Sequence, residues 1–348
     1  MQLSISREDW SILCEIPKAE LHIHFEGIIN PYTAVKLAER HGEKIDHEKL
    51  AARYNFRTFP KFLALFKDVT SFLKTPEDYV QVADRFQSYL ADKTRYAEVT
   101  LSVGVMLLRK QDVEANFQAI QRALEKTNYF KTHVKWIFDA VRQFGPETAM
   151  EVAKLAVKLK SAGVIAFGLG GDELSVPLNE FRAVYDYVAD NGLHRVVHAG
   201  EVGGPDQICD AINLLGAERI GHGIAAIRDP KLMDLLVEKQ IPLEICPSSN
   251  VRTGALAKQL NRKEARVSDH PLPALLRHGI PVTLASDDPA MFHTSLLREF
   301  RIAREIGMEM REVLKIARSG FECAFLPDSG KQIFLDQFEA KTKEFGLV

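Results

Sequence analysis

Two histidines one residue apart, His22 and His24, close the run Lys18-Ala19-Glu20-Leu21-His22-Ile23-His24. In an extended chain residues i and i+2 project to the same side, so both imidazoles can reach one metal ion. Two polar positions on the wet face of a strand would read the same way, so the rest of the chain has to decide. Further ionisable residues stand where other apolar runs end: Gly170-Gly171-Asp172-Glu173, His198-Ala199-Gly200-Glu201, Gly221-His222-Gly223 and Ser286-Asp287-Asp288-Pro289. Singly, each has a plain reading: His198 as a core histidine, His222 as a turn residue between glycines, Asp287-Asp288-Pro289 as a helix cap. Together they imply one polar site, because buried carboxylates and imidazoles are costly unless paired or metal-bound.

The elements needed to bring them together follow from the periodicity. Strand-like runs at Tyr96–Val103, Val134–Val141, Val164–Leu169, Arg195–His198, Arg219–His222, Leu243–Cys246 and Pro281–Ala285 follow the opening strand. Helical sequence separates them, beginning with Tyr32–His41, which has Asn30 as cap and Pro31 at the first position, and continuing with Pro76–Lys93, Asp112–Lys126 and Pro146–Ala162. Eight strands alternating with helices predict a parallel (β/α)8 barrel in a single α/β domain spanning 1–348, with a doubly wound open sheet as the other arrangement of the same elements. In a barrel all these strand ends meet at one mouth. Helices run from Ser295 to the end. The stretch 51–75 breaks the rhythm, with Phe56, Phe59, Phe62, Phe66 and Phe72 interleaved with Arg53, Arg57, Lys61 and Lys67. It reads either as amphipathic helices whose Phe stripe is core or as a helical lid inserted over the site.

Three imidazoles (His22, His24, His198) and one carboxylate (Asp287) are a donor set suited to zinc with a position left for water. The end of the fourth strand has no lysine to bridge a second metal, so one ion per chain is expected. Glu201, three residues beyond His198, and His222, from the next strand, are placed to move protons around that water. A net charge of −2 and a pI near 6.6 provide no field for nucleic acid or an anionic membrane. Cys14, Cys209, Cys246 and Cys323 are widely spaced, as expected of reduced thiols in a cytoplasmic protein. The stretch from Met1 to Cys14 has neither the apolar run of a signal peptide nor that of an anchor.

The motifs PKAELHIHFEG, GGDE, HAGE, ERIGHG, CPSSNVRTGA and SDDPAMF, in this order and at these separations, resemble the adenosine deaminase family of the amidohydrolase superfamily. The resemblance covers Ile16 to about Glu299. It implies a barrel holding one Zn²⁺ through His22, His24, His198 and Asp287, which hydrolyses the amino group of a 6-aminopurine nucleoside. It further implies that Glu201 protonates N1 of the purine, that His222 is the base toward the attacking water, and that Asp288 holds N7 and helps orient that water. Gly171 would donate its N–H to N3. Where the best known members carry an aspartate toward the ribose 5′-hydroxyl, this chain has Glu26, which fits a 5′-substituted nucleoside or, as in adenine deaminases, a free base. A bacterial subgroup acts on 6-aminodeoxyfutalosine, whose 5′ side bears an aromatic carboxylate, and Arg53, Arg57, Lys61 and the phenylalanines would suit that group. From another class, an inactive relative using the barrel to bind a ligand would be expected to lack a zinc ligand or the glutamate, and all are present.

Overall fold

The computed structural model describes residues 5–90, 93–127 and 131–347. Eight parallel strands form one sheet in sequence order, β1 (Lys18–His24), β2 (Thr94–Leu101), β3 (His133–Val141), β4 (Val164–Gly170), β5 (His194–Ala199), β6 (Arg219–His222), β7 (Leu243–Ile245) and β8 (Val282–Leu284). The first and last strands close on each other just past β8: Asp287 N donates to His22 O (3.0 Å) and His24 N to Asp287 O (2.9 Å). The sheet is therefore the expected (β/α)8 barrel and not an open sheet, and its closing contact is made by the site residues themselves.

Local chemistry sets the helix starts. Asn30 accepts from Thr33 N at 2.8 Å ahead of Pro31–Arg40, and Ser295 accepts from Arg298 N at 3.3 Å ahead of Leu296–Glu305. Several expected boundaries move by a few residues. The helix from Pro76 ends at Tyr89, and Lys93 is outside it; residues 91 and 92 of that expected helix lie outside the described residues, as do the first four of the N-terminal stretch. β2 stops at Leu101, because Val103–Leu108 turns at once into a helix. Arg7–Glu15, capped by Ser6, is a further helix.

The stretch 51–75 contains the end of the helix His47–Arg53 and the helix Phe59–Thr70. Both readings of its phenylalanines hold in part. Phe56, Phe62 and Phe72 are buried, and Phe62 packs on Phe292 (5.0 Å between ring centres), while Phe59, Phe62 and Phe66 also face a cavity at the barrel mouth. Among the described residues no helix is long and apolar enough to cross a membrane.

The barrel interior is unusually charged. Inward positions of such barrels are mostly branched aliphatics, whereas here Glu20, Glu98, Arg219 and Glu244 are all fully buried. Arg219 Nε lies 2.6 Å from Glu244 Oε1 and Nη2 lies 2.5 Å from Glu98 Oε2. Glu98 Oε1 also accepts from Tyr96 Oη and Phe325 N, so Glu98 and Glu244 are paired with a cation and hydrogen-bonded as burial requires. Sequence reading missed this network, since a lone Glu or Arg in a strand carries no spacing signal.

Candidate active site

The strand ends deliver His22, His24, His198, His222 and Asp287 to one buried cluster. Asp287 Oδ1 is 3.4 Å from His22 Nε2 and 3.3 Å from His24 Nε2, and His198 Nε2 is 3.3 Å from His24 Nε2. Three unlike strands thus aim ring nitrogens at one point beside one carboxylate. His22 Nε2 is buried with no hydrogen-bond partner among the described residues, while its other nitrogen, Nδ1, contacts Glu244 Oε2 at 2.7 Å. A histidine fixed at one nitrogen by a carboxylate and open at the other is the arrangement of metal-ligating imidazoles. The donor set N, N, N, O and the unsatisfied nitrogen both fit a zinc ion.

The backbone holds the cluster at a cost. His222 and Asp287, both with φ 62°, occupy the left-handed region, which costs of order 1–3 kcal/mol for a residue with a Cβ. Hydrogen bonds on either side, Gly223 N to Ala199 O and Asp287 N to His22 O, keep them there. Gly27 lies against the same spot: a Cβ there would fall 2.5 Å from Asp288 Cα, so glycine is required for the 26–28 turn to pass beneath Asp288.

Burial and neighbours divide the titratable groups. Burial drives the Glu201 carboxyl well above the usual range, helped by Asp287 and Glu173, which favours its acid form. Burial, together with His22 and His24, holds His222 down at about 3, so it is neutral. Burial opposes ionisation of Asp287 too, but contacts from His22 and His24 outweigh it and hold its carboxyl well below the usual range. Its neighbour Asp288 goes the other way, raised by burial and then by Asp287. Two adjacent groups pushed in opposite directions mark an acid–base site. The Glu201 loop is itself held: Glu173 accepts from Glu201 N (2.9 Å) and Gly203 N (2.6 Å), and Thr253 Oγ1 donates to Glu201 Oε1 (3.2 Å).

A cavity of about 460 Å³ opens over the cluster. His24, His198, Glu201, His222, Asp287, Asp288 and Gly171 (φ 94°) line it, with Phe59, Phe62, Phe66 and Phe144 forming an aromatic wall. Glu26 is buried just outside: both of its oxygens are taken by Ser102, from N at 3.1 Å and Oγ at 3.2 Å, and Ser102 is the group that reaches the cavity. Burial raises the Glu26 carboxyl to about 7. Arg53, Arg57 and Lys61, expected near a substrate carboxylate, point elsewhere. The helix lines the cavity with 59, 62, 63, 64, 66, 67 and 70 and not with the exposed Lys61, and Arg53 pairs with Asp68 at 2.5 Å on the surface. The cations that line the cavity are Lys67 and Arg109, and Arg109 is occupied in holding Thr70 and the Lys67 carbonyl. Asp139, from the end of β3, also lines it with one oxygen unpartnered among the described residues; burial raises its carboxyl to about 8. A single strand-end aspartate with no flanking motif gave no sequence signal.

Comparison with known proteins agrees with this geometry. The family described as Adenosine deaminase matches residues 17–341. Aminodeoxyfutalosine deaminase of Streptomyces coelicolor is 36% identical over 346 residues, covering 97% of this chain and 87% of that protein. Adenine deaminase of the same organism is 33% identical over 329 residues, covering 92% and 94%. The crystal structure of adenine deaminase from Arthrobacter aurescens superposes with a TM-score of 0.86 at 30% identity, over 94% of this chain and 99% of that one. The chain is thus a hydrolase acting on C–N bonds of cyclic amidines, and it belongs to the adenosine deaminase family.

Proposed function

We propose that the chain is a one-zinc aminohydrolase that converts a 6-aminopurine nucleoside, extended at its 5′ side by an aromatic carboxylate, to the 6-oxopurine with release of ammonia. The observation that carries this reading is the cavity, which is lined both by the acid–base cluster and by Phe59, Phe62, Phe66, Phe144 and Lys67. A purine base alone would leave the aromatic wall untouched, whereas an aryl carboxylate would stack on it and pair with the ammonium. The similarity to aminodeoxyfutalosine deaminases supports the same substrate class. One feature favours adenine as a second reading: Glu26 is bound to Ser102 and is not among the residues that line the cavity.

His22, His24, His198 and Asp287 would hold the zinc, which when bound supplies a water acidified toward neutral pH. Glu201, held as the acid, would protonate purine N1 as the water oxygen bonds to C6; one proton given up by the water restores the Glu201 carboxyl, the other passes to the C6 amino group, and the C6–N bond breaks to release NH₃ as the 6-oxo group forms. The Gly171 N–H would hold N3 and Asp288 N7, fixing the ring plane against the cluster. His222 would sit against the attacking oxygen. Exclusion of bulk water by the Phe59–Thr70 helix would strengthen each of these interactions.

Loss of the aminopurine ultraviolet absorbance, followed with zinc-loaded protein and, separately, aminodeoxyfutalosine, adenosine and adenine, tests the reading. The extended nucleoside should be turned over with the highest kcat/KM, and K67A should lower that value about tenfold while leaving adenosine unchanged. Preference for adenine, with no effect of K67A, would overturn the 5′-extended reading. No turnover of any of the three would overturn the deaminase reading itself.

A further inference from the structure

His270 is buried and sits at the end of a hydrogen-bond relay that runs into the site. The backbone N–H of Leu272, which can only donate, points at His270 Nδ1 at 3.1 Å. His270 Nδ1 therefore carries a lone pair, and the ring proton is at Nε2, 3.2 Å from Asn250 Oδ1. With its oxygen taken up there, Asn250 turns its NH₂ toward His222 Nδ1, also at 3.2 Å. The reversed amide would set NH₂ against a protonated Nε2, so the unambiguous donor at Leu272 fixes every bond in the chain.

We infer that Asn250 and His270 are positioning residues that hold His222 as the tautomer with its proton on Nε2. That nitrogen faces the site, 3.7 Å from Glu201 Oε2 and 3.8 Å from Asp287 Oδ2. A nitrogen that already bears its proton cannot accept another, so His222 acts toward the attacking oxygen as a fixed hydrogen-bond donor and not as the base that the family resemblance implies. The tautomer assignment is independent of the proposed substrate; its kinetic consequence rests on the deaminase reading.

Two measurements on zinc-loaded protein separate these. With ¹⁵N-labelled histidine, long-range proton–nitrogen correlations should show His222 with an unprotonated Nδ1 and a protonated Nε2, its signals being identified by their loss in H222Q. A protonated Nδ1 in the wild type would overturn the inference whatever the activity. In N250D the carboxylate accepts from both rings, so the His222 proton should move to Nδ1. That exchange removes one aligned donor, and kcat should then fall roughly 10²–10³-fold with KM within a few-fold. A swapped tautomer with unchanged kcat would overturn the donor role. Should N250D fail to fold, the wild-type spectrum still decides the tautomer, and N250S, which cannot bridge both rings, should show a mixture. If no aminopurine is turned over by the wild type, the deaminase reading fails while the spectrum still tests the relay.

Discussion

Replacing Arg219 by Met should both destabilise the barrel and loosen its metal site. Arg219 is 1% exposed and its guanidinium makes three contacts, to Glu244 (2.6 Å), Glu98 (2.5 Å) and the Cys323 carbonyl (3.0 Å), with the plane 3.7 Å over Phe325. Methionine fills much of the same volume, so the cavity term is small and the main cost is electrostatic. Two carboxylates are left in the barrel interior without their cation, and breaking a buried pair in this way costs about 3–5 kcal/mol. For 348 residues at ~2.1 cal/mol/K each, the unfolding entropy is ~0.7 kcal/mol/K, so Tm should fall by about 4–7 °C. Glu244 also contacts His22 Nδ1, so zinc affinity measured by chelator competition should drop roughly tenfold. Calorimetry of the zinc-free protein isolates the first effect. The variant R219M/E98Q/E244Q, which removes the stranded charges, should recover most of the lost stability. An unchanged Tm for R219M, or no recovery in the triple variant, would refute the account of the interior as a charge-balanced network.

E201Q should bind zinc normally yet lose roughly 10²–10⁴-fold in kcat, since Gln has no acidic proton. Because the Glu201 carboxyl is held above the usual range, the wild-type rate should decline on the alkaline side as it ionises, and that limb should be missing from the residual activity of E201Q. G27A should fold but displace Asp288, whose Cα lies 2.5 Å from the added methyl; a kcat close to wild type would show that the turn yields without moving the carboxylate. Burial would raise the Asp78 carboxyl, but N–H groups of Lys74 and Thr75, with His41 and Arg40, outweigh it and hold it below its ordinary 3.8. Its contribution is therefore complete above pH 3.8 and is lost as the pH falls below that. D78N should lower stability by ~0.5–2 kcal/mol at neutral pH and flatten the acid limb of the Tm profile; a parallel downward shift at all pH values would contradict this.

The sequence by itself determined the barrel and the identity of the site. Strands and helices alternate with local periodicities set by backbone geometry, and the residues at strand ends, His22, His24, His198, His222 and Asp287, needed only parallel closure to converge. Capping at Asn30 was legible for the same reason, since a cap acts within three residues of itself. Tertiary structure decided what depends on partners distant in the chain. The charges of Glu98, Arg219 and Glu244 become a network only when β2, β6 and β7 face the same interior. Helix phase, unreadable without knowing which side is covered, chose Lys67 over Lys61 for the cavity and left Arg53 on the surface. Glu26 looked like a substrate ligand until Ser102, 76 residues on, claimed both of its oxygens. His270 looked like one of several ordinary histidines until the fold set it against Asn250. Local periodicity and caps depend on neighbours a few positions away, but the protonation of a buried group depends on whatever the completed fold packs against it.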